Sequence, residues 1–169
     1  NPLDASSIDQ EMCRILNDLG SISASTIQAD SLTTITIFDS LVQDTLSFIH
    51  LSNVNNWEIP IDGSSYFILH APQEADSYFV AFNSFSEFHL YNNDGTLIQP
   101  DSENSSLRSI AGCPDIRVRQ TFSQLSGVYL AKLVNPNVSS VKMVVMNTNN
   151  APSANFTTST SDAFVGDTI

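Results

Sequence analysis

Basic residues are scarce: six Lys and Arg stand against 18 Asp and Glu, a formal charge of −12 over 169 residues. A surface of that sign repels phosphate backbones and anionic headgroups and has few cationic groups with which to displace their counterions. Nucleic acid is therefore excluded as an expected partner. Charge of either sign is thin as well, at 14%, against about 25% in an ordinary soluble protein. Ser, Thr and Asn fill the polar surface instead, as they do on secreted and cell-surface domains. No apolar run approaches the roughly eighteen residues of a membrane-spanning helix, so no membrane insertion is expected. Gly-x-Ser-x-Gly, His-Glu-x-x-His and Gly-rich phosphate-loop motifs are all missing, which removes the common signatures of serine hydrolases, zinc peptidases and nucleotide enzymes. The many serines read as polar strand faces and turns, and no spacing singles out a carboxylate pair. The expectation is a chain that is not an enzyme.

Cysteine is limited to Cys13 and Cys113, neither with a neighbour at metal-site or redox-motif spacing. Joined, they would close a loop of about 100 residues and stabilise the fold by up to about 4.7 kcal/mol on a chain-entropy basis. Such a bridge requires an oxidising compartment, which sets the expected location as extracellular, cell surface or periplasm. The opening residues Asn1-Pro2-Leu3-Asp4 are those expected after removal of an export signal or in a chain trimmed at its start.

What is present is enough apolar material, 41% of residues, for the core of one domain. That domain is expected to span 1–150. Residues 151–169, rich in Ser, Thr, Asn and Asp, read as a tail, a linker or an edge strand. Near the amino terminus Ile8, Met12, Ile15, Leu16 and Leu19 recur at helical spacing, Ser7 and Gln10 suit a capping box, and Gly20 suits a helix end. This predicts a helix over 7–19, carrying Cys13. Residues 21–32 read as a connection. Thr34 to Phe38 alternate like a strand, and the stretch to Ile49 reads as a short helix turning into strand near Thr45.

From Trp57 the pattern is of period two. Trp57, Ile59 and Ile61 alternate, Asp62-Gly63 turns the chain, and Tyr66, Ile68 and His70 oppose Phe67, Leu69 and Ala71. Further strands are predicted at Tyr78 to Phe82, Phe85 to Tyr91, Thr96 to Gln99, Ile116 to Phe122, Gly127 to Asn135 and Ser140 to Asn147. Asn92-Asn93-Asp94-Gly95 between two of them is a hairpin signal, because Asp-Gly accepts the positive φ of a tight turn. Short strands at regular intervals without intervening helices predict a mainly β protein, an antiparallel β-sandwich of jelly-roll or Greek-key type with an amino-terminal helix.

Three constellations bear on function. His50, His70 and His89 each fall in a predicted strand; each is either an isolated, hydrogen-bonded or exposed histidine, or one of a pair sharing copper or zinc. Parity places His50 with Leu46 and Phe48, and His70 with Tyr66 and Ile68, both facing inward, and His89 with Glu87 and Tyr91, facing outward. Asn92 and Asp94, with Asp62, Asp101 and Glu103 in other loops, offer hard oxygens to calcium, or else serve their own turns. Trp57 is read as a core or rim residue, with sugar stacking the other role open to it. Sequons at Asn104, Asn137 and Asn155 permit glycosylation.

The segments Ser65-Tyr66-Phe67-Ile68-Leu69, Glu87 to Leu97 and Ser126 to Leu133 resemble strands of the pre-peptidase C-terminal domains of secreted bacterial proteases. That resemblance implies a jelly roll serving binding, targeting or secretion, in some members with calcium. Glu87 stands where an aspartate is usual, and the helix and both cysteines lie outside the pattern. The acidic, strand-rich chain, with one Trp and three His, is also similar to the surface copper proteins of methane-oxidising bacteria. This second resemblance implies Cu(I) held by two histidines and an oxidised tryptophan, although Trp57 lacks the Trp-x-His spacing of that site. Taken together, the expected function is a non-catalytic secreted or cell-surface module acting by binding a protein or glycan, or by assembly into a surface structure. The alternatives are an extracellular metal-binding protein and a subunit of an extracellular polymer, including a homo-oligomer.

Overall fold

Ile8, Met12, Ile15 and Leu16 line the buried face of α1 (Pro2–Asp18), as their spacing requires. The structure, a computed structural model, describes residues 2–18, 20–27, 34–43, 48–51, 54–71, 77–104 and 113–147. The expected tail at 151–169 lies outside these residues. Helix α1 starts well before the predicted position, with Pro2 in its first turn, where a missing N–H costs least. Ser7 and Gln10 are therefore interior to the helix and do not form the expected capping box.

The remaining elements are β1 (Ser21–Ser23), α2 (Thr34–Leu41), β2 (Ile49–His50), β3 (Asn56–Pro60), β4 (Gly63–Ala71), β5 (Tyr78–Phe82), β6 (Glu87–Tyr91), β7 (Leu97–Ile98), β8 (Ser102–Asn104), β9 (Val118–Phe122), β10 (Gly127–Asn135) and β11 (Ser140–Asn147). The strands form a six-stranded sheet ordered β1-β3-β11-β5-β9-β8 and a five-stranded sheet ordered β2-β4-β10-β6-β7. The protein is thus a mainly β sandwich, as expected. Most neighbours are antiparallel, but β1 joins β3 and β2 joins β4 in parallel, so each sheet is mixed at one edge.

Most steps along the chain change sheets, the exceptions among the described strands being β6 to β7 and β8 to β9, so sheet neighbours are mostly distant in sequence. Asp62-Gly63 turns the chain as expected, with Gly63 at φ 79°. It does not close a hairpin, because β3 and β4 belong to different sheets. The step from β3 to β4 lies beside the step from β10 to β11: β3 pairs with β11 while β4 pairs with β10 along its whole length. The β6–β7 hairpin forms where the sequence signalled it, with Gly95 at φ 86° and Tyr91 opposite Leu97. Between β5 and β6, Asn135 Nδ2 donates to the Phe85 carbonyl at 3.1 Å and to the Ser84 and Ser86 hydroxyls, and the strand predicted from Phe85 begins only at Glu87.

The main core lies between the sheets, where Phe67, Leu69, Phe88 and Leu133 meet Ile59, Phe82, Phe122 and Met143. Both outer faces are also covered. Helix α1 packs Ile8, Met12, Ile15 and Leu16 on Ala81, Val144 and Met146 of the six-stranded sheet. Helix α2 packs Ile37, Phe38 and Leu41 on Tyr66, Ile68 and Leu130 of the other. Residues 34–38 are thus helix, not the predicted strand. Intrinsic β preference of Thr and Ile is a weak prior, and burial of the 37, 38 and 41 face overrides it. The disulfide Cys13–Cys113 fastens α1 to the segment before β9, with Cα atoms 6.0 Å apart. No described helix is long and apolar enough to cross a membrane.

Candidate functional site

His50 and His70 stand directly opposite each other on the parallel pair β2–β4. The residues beside them decide which way they face. Ile49, Leu51, Leu69 and Ala71 are buried in the core between the sheets, so alternation sends both imidazoles to the opposite face. That is the face covered by α2, and not the sandwich interior that parity suggested. The parity partners Tyr66 and Ile68 are indeed buried, but under α2. The two Nδ1 atoms lie 2.9 Å apart. One ring must donate and the other accept, so two neutral rings here hold complementary tautomers. The ring centroids are 5.0 Å apart at 78°, and the Phe48 ring flanks both at 6.2 and 6.4 Å. His50 is exposed and His70 half-buried. The strand carrying His50 is held by the Leu51 amide, which donates to the His70 carbonyl at 2.8 Å.

His89 shares this sheet face but not this site. It lies opposite Lys132 on β10, whereas His70 lies opposite Val128. That offset is about 13 Å along the strand at the usual rise, before the lateral separation is added, and is too far for one ion. Its Nε2 is 3.6 Å from Glu87 Oε1 on the same strand. Of the three expected ligands, the structure brings together two.

Asn92 and Asp94 are engaged in their own turn. Asn92 Oδ1 accepts from the Asp94 amide at 3.3 Å, and Asp94 Oδ1 accepts from the Thr96 amide at 2.9 Å. The hydrogen bonding at Thr96 holds the exposed Asp94 carboxyl below its ordinary range. Among the described residues, the imidazoles, thiols and carboxylates close enough to share an ion form one group of three, Cys13, Cys113 and Asp115. Its two sulfurs are bonded to each other. Trp57 is half-buried against the main core, in keeping with the packing role expected of it.

A cleft absent from the sequence reading opens between the β6–β7 hairpin and β9. It encloses about 340 Å³, lined by Glu87, Phe88, His89, Leu97, Gln99 and Gln120 among others. No sequence signal marks it, because its lining joins residues 86–100 to Gln120, which are distant in sequence. No family model, no curated protein and no solved structure matches the chain.

Proposed function

We propose that the chain is a non-catalytic extracytoplasmic module that works by binding, or by assembly into a surface structure. The carrying observation is the edge formed by β1. Among the described residues β1 ends the six-stranded sheet, and Ser21, Ile22 and Ser23 are all exposed there. An edge of this kind offers main-chain donors and acceptors to a further strand from another chain. The Cys13–Cys113 bridge is compatible with an extracellular or periplasmic setting, and among the described residues no helix is long and apolar enough to cross a membrane. The likeness of the β4, β6 and β10 segments to pre-peptidase C-terminal strands supports the same reading.

The test uses the whole oxidised chain. Size-exclusion chromatography with light scattering is expected to show species heavier than the 18.4 kDa monomer, and Ile22→Lys on β1 is expected to return them to monomer. A strict monomer that is also not retained by cell-surface protein or polysaccharide overturns the proposal.

A further inference from the structure

We infer that His50 and His70 form a two-nitrogen chelate for a tetragonal divalent transition-metal ion, copper(II) before nickel(II). The inference stands apart from the binding-module reading and does not need it.

The first support is preorganisation. The two histidines are in register on hydrogen-bonded strands. The side chains beside them, Ile49, Leu51 and Leu69, are 1, 3 and 1% exposed. Both Cα positions are therefore fixed by the main core, and only ring rotation is left free. A metal meeting this pair does not have to order a loop.

The second is the bite. Imidazole nitrogens bind such ions at about 2.0–2.1 Å, so an N···N span near the observed one subtends an angle of about 90° at the metal. The span itself is 2.9 Å, with the two nitrogens now directed at each other across a hydrogen bond, so metal entry turns both rings towards a common point while the Cα positions stay in place. That angle is the cis angle of square-planar and tetragonal coordination, which suits Cu(II) and Ni(II). Tetrahedral Zn(II) would require the nitrogens to move apart to about 3.3 Å at the same bond lengths. The order of divalent affinities for nitrogen sites then places copper first.

The third is what surrounds the pair. Among the described residues no third imidazole, thiolate or carboxylate lies within reach of the same ion. Exposure of His50 leaves the remaining equatorial positions to water. A net charge of −12 favours approach of a dication. The proton count closes: the ring that donates through Nδ1 moves its proton to Nε2, both Nδ1 lone pairs face the metal, and two neutral rings release no proton.

The experiment titrates the whole oxidised chain with Cu(II) alone, followed by calorimetry and electron paramagnetic resonance. One equivalent is expected, with a tetragonal signal split by two imidazole nitrogens, and Zn(II) is expected to bind at least tenfold more weakly. His50→Gln and His70→Gln should each weaken Cu(II) at least tenfold, and His89→Gln should leave it unchanged. His50 is exposed, so His50→Gln decides the matter if His70→Gln fails to fold. Unchanged binding in His50→Gln, loss on His89→Gln, or a signal with a single nitrogen overturns the inference.

Discussion

Asp9 on α1 and Arg119 on β9 are joined across 110 residues of sequence: Arg119 Nη1 donates to both Asp9 carboxylate oxygens, at 2.8 and 3.0 Å. Asp9 is 1% exposed, and the Arg119 guanidinium also lies over the Phe79 ring, 5.4 Å from its centroid. The pair sits where the helix layer meets the six-stranded sheet, so it orients α1 as well as neutralising a buried charge. Burial pushes the Asp9 carboxyl above its ordinary range, and the charge and hydrogen bonds of Arg119 draw it back.

Arg119→Met should therefore destabilise the fold by about 3–5 kcal/mol at pH 7, the usual result of stranding a buried charge. A raised folded-state value means that the folded protein holds the proton more tightly than the unfolded chain. That contribution is complete below the ordinary carboxylate range and drains away as pH climbs through the folded value. Removing Arg119 enlarges the upward shift. The loss should shrink as pH falls from 7 towards 4, which urea unfolding at both pH values would measure.

Opening the Cys13–Cys113 bridge should lower stability by as much as about 4.7 kcal/mol, since it closes a loop of roughly 100 residues. Denaturant unfolding of the chain against Cys13→Ser/Cys113→Ser checks this. Protein taken from its native source should show no titratable thiol, in accord with the paired sulfurs.

Helix and strand make opposite predictions for Ile35 and Ile37. In a strand the two would share a face; in α2, Ile37 is fully buried while Ile35 is 47% exposed. Ile37→Ala should cost about 2–5 kcal/mol, and Ile35→Ala no more than about 0.5 kcal/mol. Equal losses in thermal unfolding would contradict the helix.

The hydrogen-bonded Asp94 carboxyl, held below its ordinary range, favours the folded state above the unfolded value. That contribution is lost as pH falls through the depressed folded value. Asp94→Asn should flatten the stability profile below about pH 4, near the ordinary Asp value. A carboxyl-detected NMR titration should place Asp94 below a free aspartate.

Much of the sandwich was legible. The bounds of β5, β10 and β11 follow directly from the alternation in Tyr78–Phe82, Gly127–Asn135 and Ser140–Asn147. What alternation could not say is which side of a strand is the interior when both sides are apolar. In β4, Phe67 and Leu69 pack between the sheets while Tyr66 and Ile68 pack under α2. The same ambiguity misdirected His50 and His70. Their membership of strands was readable, but not the parallel register that sets them face to face, because pairing across sequence leaves no local mark. The β6–β9 cleft was invisible for the same reason.

The placement of β11 has a consequence for how the chain matures. It lies between β3 and β5, so until the last described strand arrives, the six-stranded sheet is two separate fragments. Pairings of such long range make for slow closure. Translation of nearly the whole domain must precede completion of the sandwich.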